Sequence, residues 1–502
     1  MKMEPIAKFR EIVKKQKAYG YMLNIIGWDS QTEAPREAFA RRGEMVGIIS
    51  GEMFKLLTSQ DTIEGLGQLF ESMDQFDDAT KRELLRAKKQ LDKIIKIPEN
   101  EFVAYQMLLN KAQMVWQDAK EKNDYAAFKG VLAEIITANK KFAKYYAPEA
   151  SAYNTMLDDF EEGWTMADFD QFFDVLKKEL VPFVRKLLAQ KQPPVAPFVK
   201  RHYEKEKQKE FADYLIDVMQ FNRNRGLMKQ SVHPFTWNTS PTDVRFTNRY
   251  IEDYFLSSIF SAVHELGHAI YEQQVDTKWD DTMLNGGVSM GIHESQSRFF
   301  ENIVGRSHLF WEAHYPKLKS IFPEQLKDVT LEDFYRAVNR SEASLIRVEA
   351  DELTYPLHIM LRYEIERMFV EGDLSVDDLP RIWNEKSQEY LGITPKTDSE
   401  GILQDVHWSG GMIGYFPTYA LGSAISAQIY QTMAQEINVD QAIRDNKLGI
   451  VTDWLKEKIH QYGSSKSPKQ LLEEVTHESF NPHYYVRYLK TKYGELYNIK
   501  ED

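Results

Sequence analysis

The sequence predicts a mainly α-helical protein with a small β-sheet, and three observations carry that expectation. Apolar residues recur at three- and four-residue spacing through the first 190 residues and again from His293 onward. Between these regions, residues 222–250 break into Gly, Pro and Asn turns with short alternating runs. Residues 251–275 join the two and hold His264, Glu265 and His268 inside one helical pattern.

Composition narrows the class. Of 502 residues, 43% are hydrophobic and 28% charged, which describes a folded chain with a substantial core rather than a disordered one. A formal net charge of -13 argues against nucleic acid or an anionic membrane as the main partner. Cysteine is absent, so any bound metal must rely on histidine and carboxylate. The first sixteen residues are charged throughout and lack the apolar run of a secretory signal, and no stretch approaches eighteen uninterrupted apolar residues. A cytoplasmic protein is expected.

In chain order, Phe9, Ile12, Tyr19, Met22, Leu23 and Ile26 mark a helix over residues 5–28. Residues 32–35, ending in Pro35, break it before a second helix from Arg36. Further helices are expected over 81–96, 99–122, 126–146 and 167–188, punctuated at Pro98, Asn123 and Gly163. Residues 192–197 form a Pro-rich corner too short to be a linker, so residues 1–502 read as one domain. Within it, residues 1–190 form an all-helical N-terminal part and 191–502 a second part. Residues 222–250 should supply two short strands, one of them over 243–247. Residues 285–290 are a candidate third strand, although a glycine loop suits the same residues. A sheet beside helix 251–275 would offer an edge to an extended peptide. Helices then resume, interrupted near Pro356, Pro380, Pro395 and the glycines of 401–422.

Residues four apart lie one turn apart on the same helical face, so His264 and His268 can offer two imidazole nitrogens to one metal with Glu265 alongside as a base. Phe255, Ile259, Val263, Leu266 and Ile270 supply the apolar side of that helix. The competing reading is a pair of ordinary histidines on a buried helix. A catalytic metal held by two histidines lacks one protein ligand, and Glu294, 26 residues beyond His268 at the start of a new helical pattern, is the best candidate. A carboxylate at a helix start also has a plain electrostatic explanation. His293 could ligate or hydrogen-bond, and Glu301, farther along, could accept a proton from a ligand imidazole.

Six segments in order then resemble the motif set of the Taq-type metallocarboxypeptidases. They are His233-Pro-Phe235, Asp243-Val-Arg-Phe-Thr247, His264-Glu-Leu-Gly-His268, His293-Glu-Ser-Gln296, Ile346-Arg-Val-Glu-Ala-Asp351 and Gly401-Ile-Leu-Gln-Asp-Val-His-Trp408. The resemblance implies a helical, homodimeric metallocarboxypeptidase with a deep substrate groove and a metal held by His264, His268 and Glu294. It implies one divalent ion per chain, zinc with cobalt as the alternative, and peptides as substrates. A weaker likeness to metallo-oligopeptidases lies in His407-Trp-Ser-Gly-Gly411 followed by Tyr419, and it implies a transition-state-binding role there.

The residues then suggest a division of labour. Glu265 accepts the proton of an attacking water and passes it to the leaving amine. Tyr419 and His407, with Tyr415 as substitute, serve the oxyanion, although aromatic side chains here could equally be core. Arg347 or Arg245 recognises the free C-terminal carboxylate. Arg347 could instead pair with Glu349 or Asp351, and Arg245 could simply hold the sheet. His233 and Gln404 are expected near the substrate, with Asp405 beside them. Two rivals remain: an endo-acting oligopeptidase, and a non-catalytic peptide-binding protein with a structural metal.

Overall fold

The computed structural model describes residues 5–190 and 194–499. Residues 1–4 of the charged start, and Gln192 and Pro193 of the Pro-rich corner, lie outside the described residues. The chain opens with α1 (Pro5–Thr32), α2 (Phe39–Thr58), α3 (Gln60–Glu71) and α4 (Asp78–Ile95). Next come α5 (Glu99–Lys122), α6 (Tyr125–Tyr146), α7 (Ala152–Phe160), α8 (Met166–Val175) and α9 (Val181–Leu188). The expected punctuation is visible in the caps. Asn123 adopts a left-handed conformation that ends α5, and the Asp124 side chain accepts from Ala127 N–H to start α6. The segment expected as one helix over 167–188 is α8 and α9 joined by a π-turn, where Pro182 has no N–H to give the preceding turn.

After α10 (Lys205–Val218), residues 222–250 supply three strands rather than two: β1 (Gly226–Gln230), β2 (Thr236–Ser240) and β3 (Asp243–Asn248). β3 is central, with β1 parallel and β2 antiparallel to it, so the order is β1-β3-β2. Val244 and Phe246 of β3 are buried, and β2 and β3 pack on α11 (Phe255–Gln274). α1 crosses β2 closely enough that Gly27 sits against the Trp237 ring.

Residues 285–290 are not a strand. Two of their donors go to side chains instead, Gly287 N–H to Glu272 and Val288 N–H to the Tyr271 hydroxyl, and just beyond them Gly291 N–H goes to Glu161. The loop ends at Ser289, whose hydroxyl caps α12 (Met290–Arg298), and a π-turn over Phe299–Val304 continues that helix. The remaining helices are α13 (His308–Ile321), α14 (Leu331–Val338), α15 (Tyr355–Val370), α16 (Leu379–Leu391), α17 (Pro417–Glu436), α18 (Val439–Arg444), α19 (Gly449–Lys458), α20 (Pro468–Thr476) and α21 (His483–Tyr497).

α12 lies between α11 and α17, and glycines make both crossings close. A Cβ on Gly267 would fall 2.7 Å from Ser297 Cα, and one on Gly422 would fall 2.6 Å from Glu294 Cβ. One large core runs from α5 to the end of the chain, while Phe9, Val13, Leu66, Leu69, Leu84 and Leu91 form a separate small one. A groove of about 750 Å³ opens where α1, α2, α4 and α7 face Glu272, residues 286–290 and His293. Among the described residues, no helix is long and apolar enough to cross a membrane.

Candidate active site

The half-buried stripe of α11 carries His264 and His268 one turn apart, their rings 4.9 Å apart and nearly perpendicular. Their Nε2 atoms lie 3.7 and 3.5 Å from Glu294 Oε2. One ligand atom from each of the three residues lies within 4.8 Å of the other two. The opposite nitrogens are engaged behind the site. His264 Nδ1 donates to Glu301 Oε2 at 3.0 Å. His268 Nδ1 meets His293 Nδ1 at 2.6 Å, and His293 Nε2 meets Glu272 Oε1 at 2.7 Å. Because Glu272 only accepts, His293 carries its proton on Nε2, so its Nδ1 accepts from His268 Nδ1–H. In their neutral forms both His264 and His268 therefore turn a free Nε2 lone pair toward Glu294. Two imidazole nitrogens and a carboxylate oxygen, oriented by partners behind them, are a donor set that fits a divalent transition metal.

Charge keeps two members of that set, Glu294 and His268, in their ligating forms. Burial opposes ionisation of Glu294, but Arg298 Nε at 2.7 Å and the two imidazoles hold its carboxyl far below the usual range. Burial pushes His268 down to about 4, so the ring is neutral. Burial also works against a charged His264, yet Glu294 and Glu301 leave it raised overall. Glu301 is itself clamped by Arg298 and Arg306 at 3.2 and 3.1 Å.

Glu265 is buried beside His264, and burial raises its carboxyl. Thr236, the first residue of β2, donates its hydroxyl to Glu265 Oε2 at 2.6 Å. Oε1 has no hydrogen-bond donor among the described residues. Close packing at Gly422 brings α17 against Glu294, which puts Tyr419, one turn earlier, near the same centre. His407 Nε2 lies 3.2 Å from the Tyr419 hydroxyl, and the His407 ring stacks on Tyr415. The structure thus brings His264, His268, Glu294, Glu265, Tyr419, His407 and Tyr415 into one neighbourhood.

Residues 8–493 match the family model described as Carboxypeptidase Taq (M32) metallopeptidase. The chain belongs to this family. It is 42% identical to Carboxypeptidase 1 of Bacillus subtilis over 98% of each chain. It is 37% identical to Thermostable carboxypeptidase 1 of Pyrococcus furiosus over 97% of each. The crystal structure of the M32 carboxypeptidase from Deinococcus radiodurans superposes with a TM-score of 0.94 at 32% identity, covering 99% of this chain and all of that one.

In this M32 carboxypeptidase Arg347 is buried on a single 3-10 turn rather than on a longer helix. It pairs with neither Glu349 nor Asp351. Its Nε and Nη2 donate to Asp405 Oδ1 at 3.0 and 2.9 Å, and its Nη1 donates to the Tyr355 hydroxyl. Asp405 Oδ2 accepts from Arg362 Nε at 2.7 Å, so one carboxylate serves two guanidiniums. Arg245 instead forms a two-point pair with Asp243, its neighbour two along on β3, and lies over the Trp28 ring. The Gln404 amide is taken up by backbone: Oε1 by Arg347 N–H, Nε2 by the carbonyls of Leu345 and Glu400. His233 is exposed in the bend before β2.

Two partners in this site had no warning in the sequence, since Thr236 and Arg362 reach it from positions unrelated by any helical spacing. Arg298 differs, since its i+4 relation to Glu294 is the ordinary signature of a helical ion pair.

Proposed function

We propose that this metallocarboxypeptidase releases single amino acids from the free C-terminus of peptides, using one divalent ion per chain held by His264, His268 and Glu294. Zinc suits two imidazoles and a carboxylate, with cobalt as a substitute. A divalent ion bound there supplies Lewis acidity, which makes a water more acidic and polarises the scissile carbonyl. Glu265 handles the proton. Thr236 holds its Oε2, so Oε1 takes the proton of the attacking water and later returns it to the leaving amine.

Tyr419 serves the developing oxyanion. Burial raises its phenol far above the ordinary range, so it stays a donor throughout. Burial also lowers His407 to about 4. Neutral His407 then donates Nε2–H to the Tyr419 oxygen and turns the phenolic proton toward the substrate, with Tyr415 stacked behind it.

The Arg347–Asp405–Arg362 arrangement carries the exopeptidase reading. One carboxylate between two arginines leaves a positive charge unmatched next to Tyr419, whose ring lies 5.2 Å from the Arg347 guanidinium. Arg245, matched one to one by Asp243, has no such surplus. Arg347 therefore anchors the terminal carboxylate, Gln404 holds the turn that carries it, and His233 lines the peptide path beside β2. Residues 1–190 cover the groove of a single peptidase domain. The family likeness and the cysteine-free composition support a cytoplasmic homodimer.

Matched peptides with a free acid or an amide at the C-terminus test the reading. The wild type should prefer the acid, and Arg347→Ala should lose about 10- to 150-fold in kcat/KM on the acid with little change on the amide. Equal losses on both would assign Arg347 to structure. A wild type indifferent to the amide would favour an endo-acting oligopeptidase.

A further inference from the structure

α4 carries Arg82, Arg86, Lys89 and Lys93 at positions i, i+4, i+7 and i+11, so all four lie on one face. That face looks at α7 and the turn after it. Arg82 clasps Glu162 through both oxygens, Lys89 pairs with Asp158, and Lys93 pairs with Asp159 at 2.7 Å. Arg86 is the member left over. Among the described residues, no carboxylate lies within ion-pair distance of it and no acceptor takes a hydrogen bond from it.

Arg86 nevertheless lines the groove and is only half exposed. Removing a guanidinium from water without a counter-ion is unfavourable, and Arg82 one turn away adds repulsion. Glu162, the acid whose field reaches Arg86, is already neutralised by Arg82. Lys17, the other groove cation without a contact, differs because Asp280, Asp281, Glu83 and Glu272 surround it. Arg86 is thus the groove's uncompensated cation.

Its place relative to the metal centre says which part of a substrate meets it. The groove reaches the centre through His293 and the 286–290 loop, on the His268 side. Arg347 approaches from the other side, through Tyr355 and Arg298, past Glu294 and Glu301. A peptide with its terminal carboxylate on Arg347 and its scissile bond at the centre must run its upstream residues into the groove.

We propose that Arg86 is a specificity-determining residue that receives an Asp or Glu side chain carried by the peptide upstream of the scissile bond. The proposal rests on the carboxypeptidase reading above. The carboxylate supplies the counter-ion that α7 withholds, and a two-point pair with the guanidinium fixes the upstream backbone along the wall of α4.

The test is a set of peptides identical at the C-terminal residue and free carboxylate, with Glu, Gln or Lys placed at successive upstream positions. The wild type should favour Glu over Gln about 10-fold in kcat/KM at one of these positions. Arg86→Ala should abolish that ratio, and Arg86→Glu should invert it in favour of Lys. Each ratio is taken within one variant, so a general loss of activity cancels. Arg86→Lys, which keeps the charge if the alanine variant fails to fold, should retain part of the preference. A wild type that treats Glu and Gln alike at every position overturns the assignment, as does a preference that survives Arg86→Ala and Arg86→Glu. Absence of C-terminal release from every peptide would instead reject the carboxypeptidase reading, and this assignment with it.

Discussion

Thr236 occupies one oxygen of Glu265 and leaves the other for a proton, so the side chain can be altered without touching the metal ligands. Glu265→Gln should therefore keep the metal by elemental analysis and lose about 100- to 10,000-fold in turnover. Near-normal activity in a metal-loaded variant would reject the role. Glu294→Ala should empty the site far more than Glu301→Ala, because Glu301 acts through His264 Nδ1; the reverse ranking would move the third ligand. His264 and His268 could be paired from the sequence because a helix converts four-residue spacing into proximity, whereas Glu294 joined them only as a carboxylate opening a later helical pattern. Of their supports, Glu301 was foreseen as an imidazole acceptor, but the others were not. His293 leans on Glu272, 21 positions away, and Arg347 on Asp405, 58 positions away, rather than on the nearer Glu349 and Asp351. Local spacing favours near partners, and tertiary packing chose distant ones.

Elements are set by how closely α11, α12 and α17 approach, and Gly422 is the point of least clearance. Gly422→Ala should cost about 1–3 kcal/mol and lower metal content together, because the new methyl pushes on Glu294 itself. Gly130→Ala on α6, with open space around it, is the control and should be neutral or stabilising. Calorimetry with metal analysis on both variants checks the contrast, and intact metal binding in Gly422→Ala would refute it. The start of α12 makes a second prediction. Buried Glu161 accepts Gly291 N–H, its Oε1 has no partner, and burial raises it to about 7. Between its unfolded value near 4.5 and about 7, the folded state holds a proton that the unfolded chain has released. Stability contributed by the protonated acid is thus present at low pH and lost as pH rises through that window, by about 3 kcal/mol. Glu161→Gln should escape this loss, so its melting temperature relative to wild type should climb between pH 5 and pH 8; a constant difference would refute the shift. Sequence foresaw most helices in this framework, since their apolar period is long. It left 285–290 open between a strand and a glycine loop because glycines permit both, and the choice fell to Glu272 and Tyr271, which claim the loop's N–H groups.

At the scale of the molecule, α1, α3 and α4 share a small core of their own, whereas α5 to α21 contribute to one large one. The Pro-rich corner at 192–197 does not divide the large core, which holds α8, α9, Phe198 and Val199 alike. The apolar seam instead falls after α4, a division no composition change announces because both sides are helical and equally amphipathic. Across that seam the groove wall is tied by Arg82–Glu162, Lys89–Asp158 and Lys93–Asp159, with Tyr21, Met22, Phe39, Ile48 and Phe54 left exposed on α1 and α2. Partly exposed ion pairs contribute roughly 0.2–1 kcal/mol each and weaken with salt. Residues 5–95 should therefore form a cooperative unit of lower stability than α11, α12 and α17, opening without global unfolding. Amide hydrogen exchange at low salt and again near 0.5 M should show exchange in α1 to α3 accelerating about 5- to 30-fold, the effect of losing roughly 1–2 kcal/mol across the three pairs. Protection in α11 and α17 should not move. Uniform protection along the chain, or a salt response shared by α11, would show that the two cores open as one and that the groove wall is fixed to the metal centre.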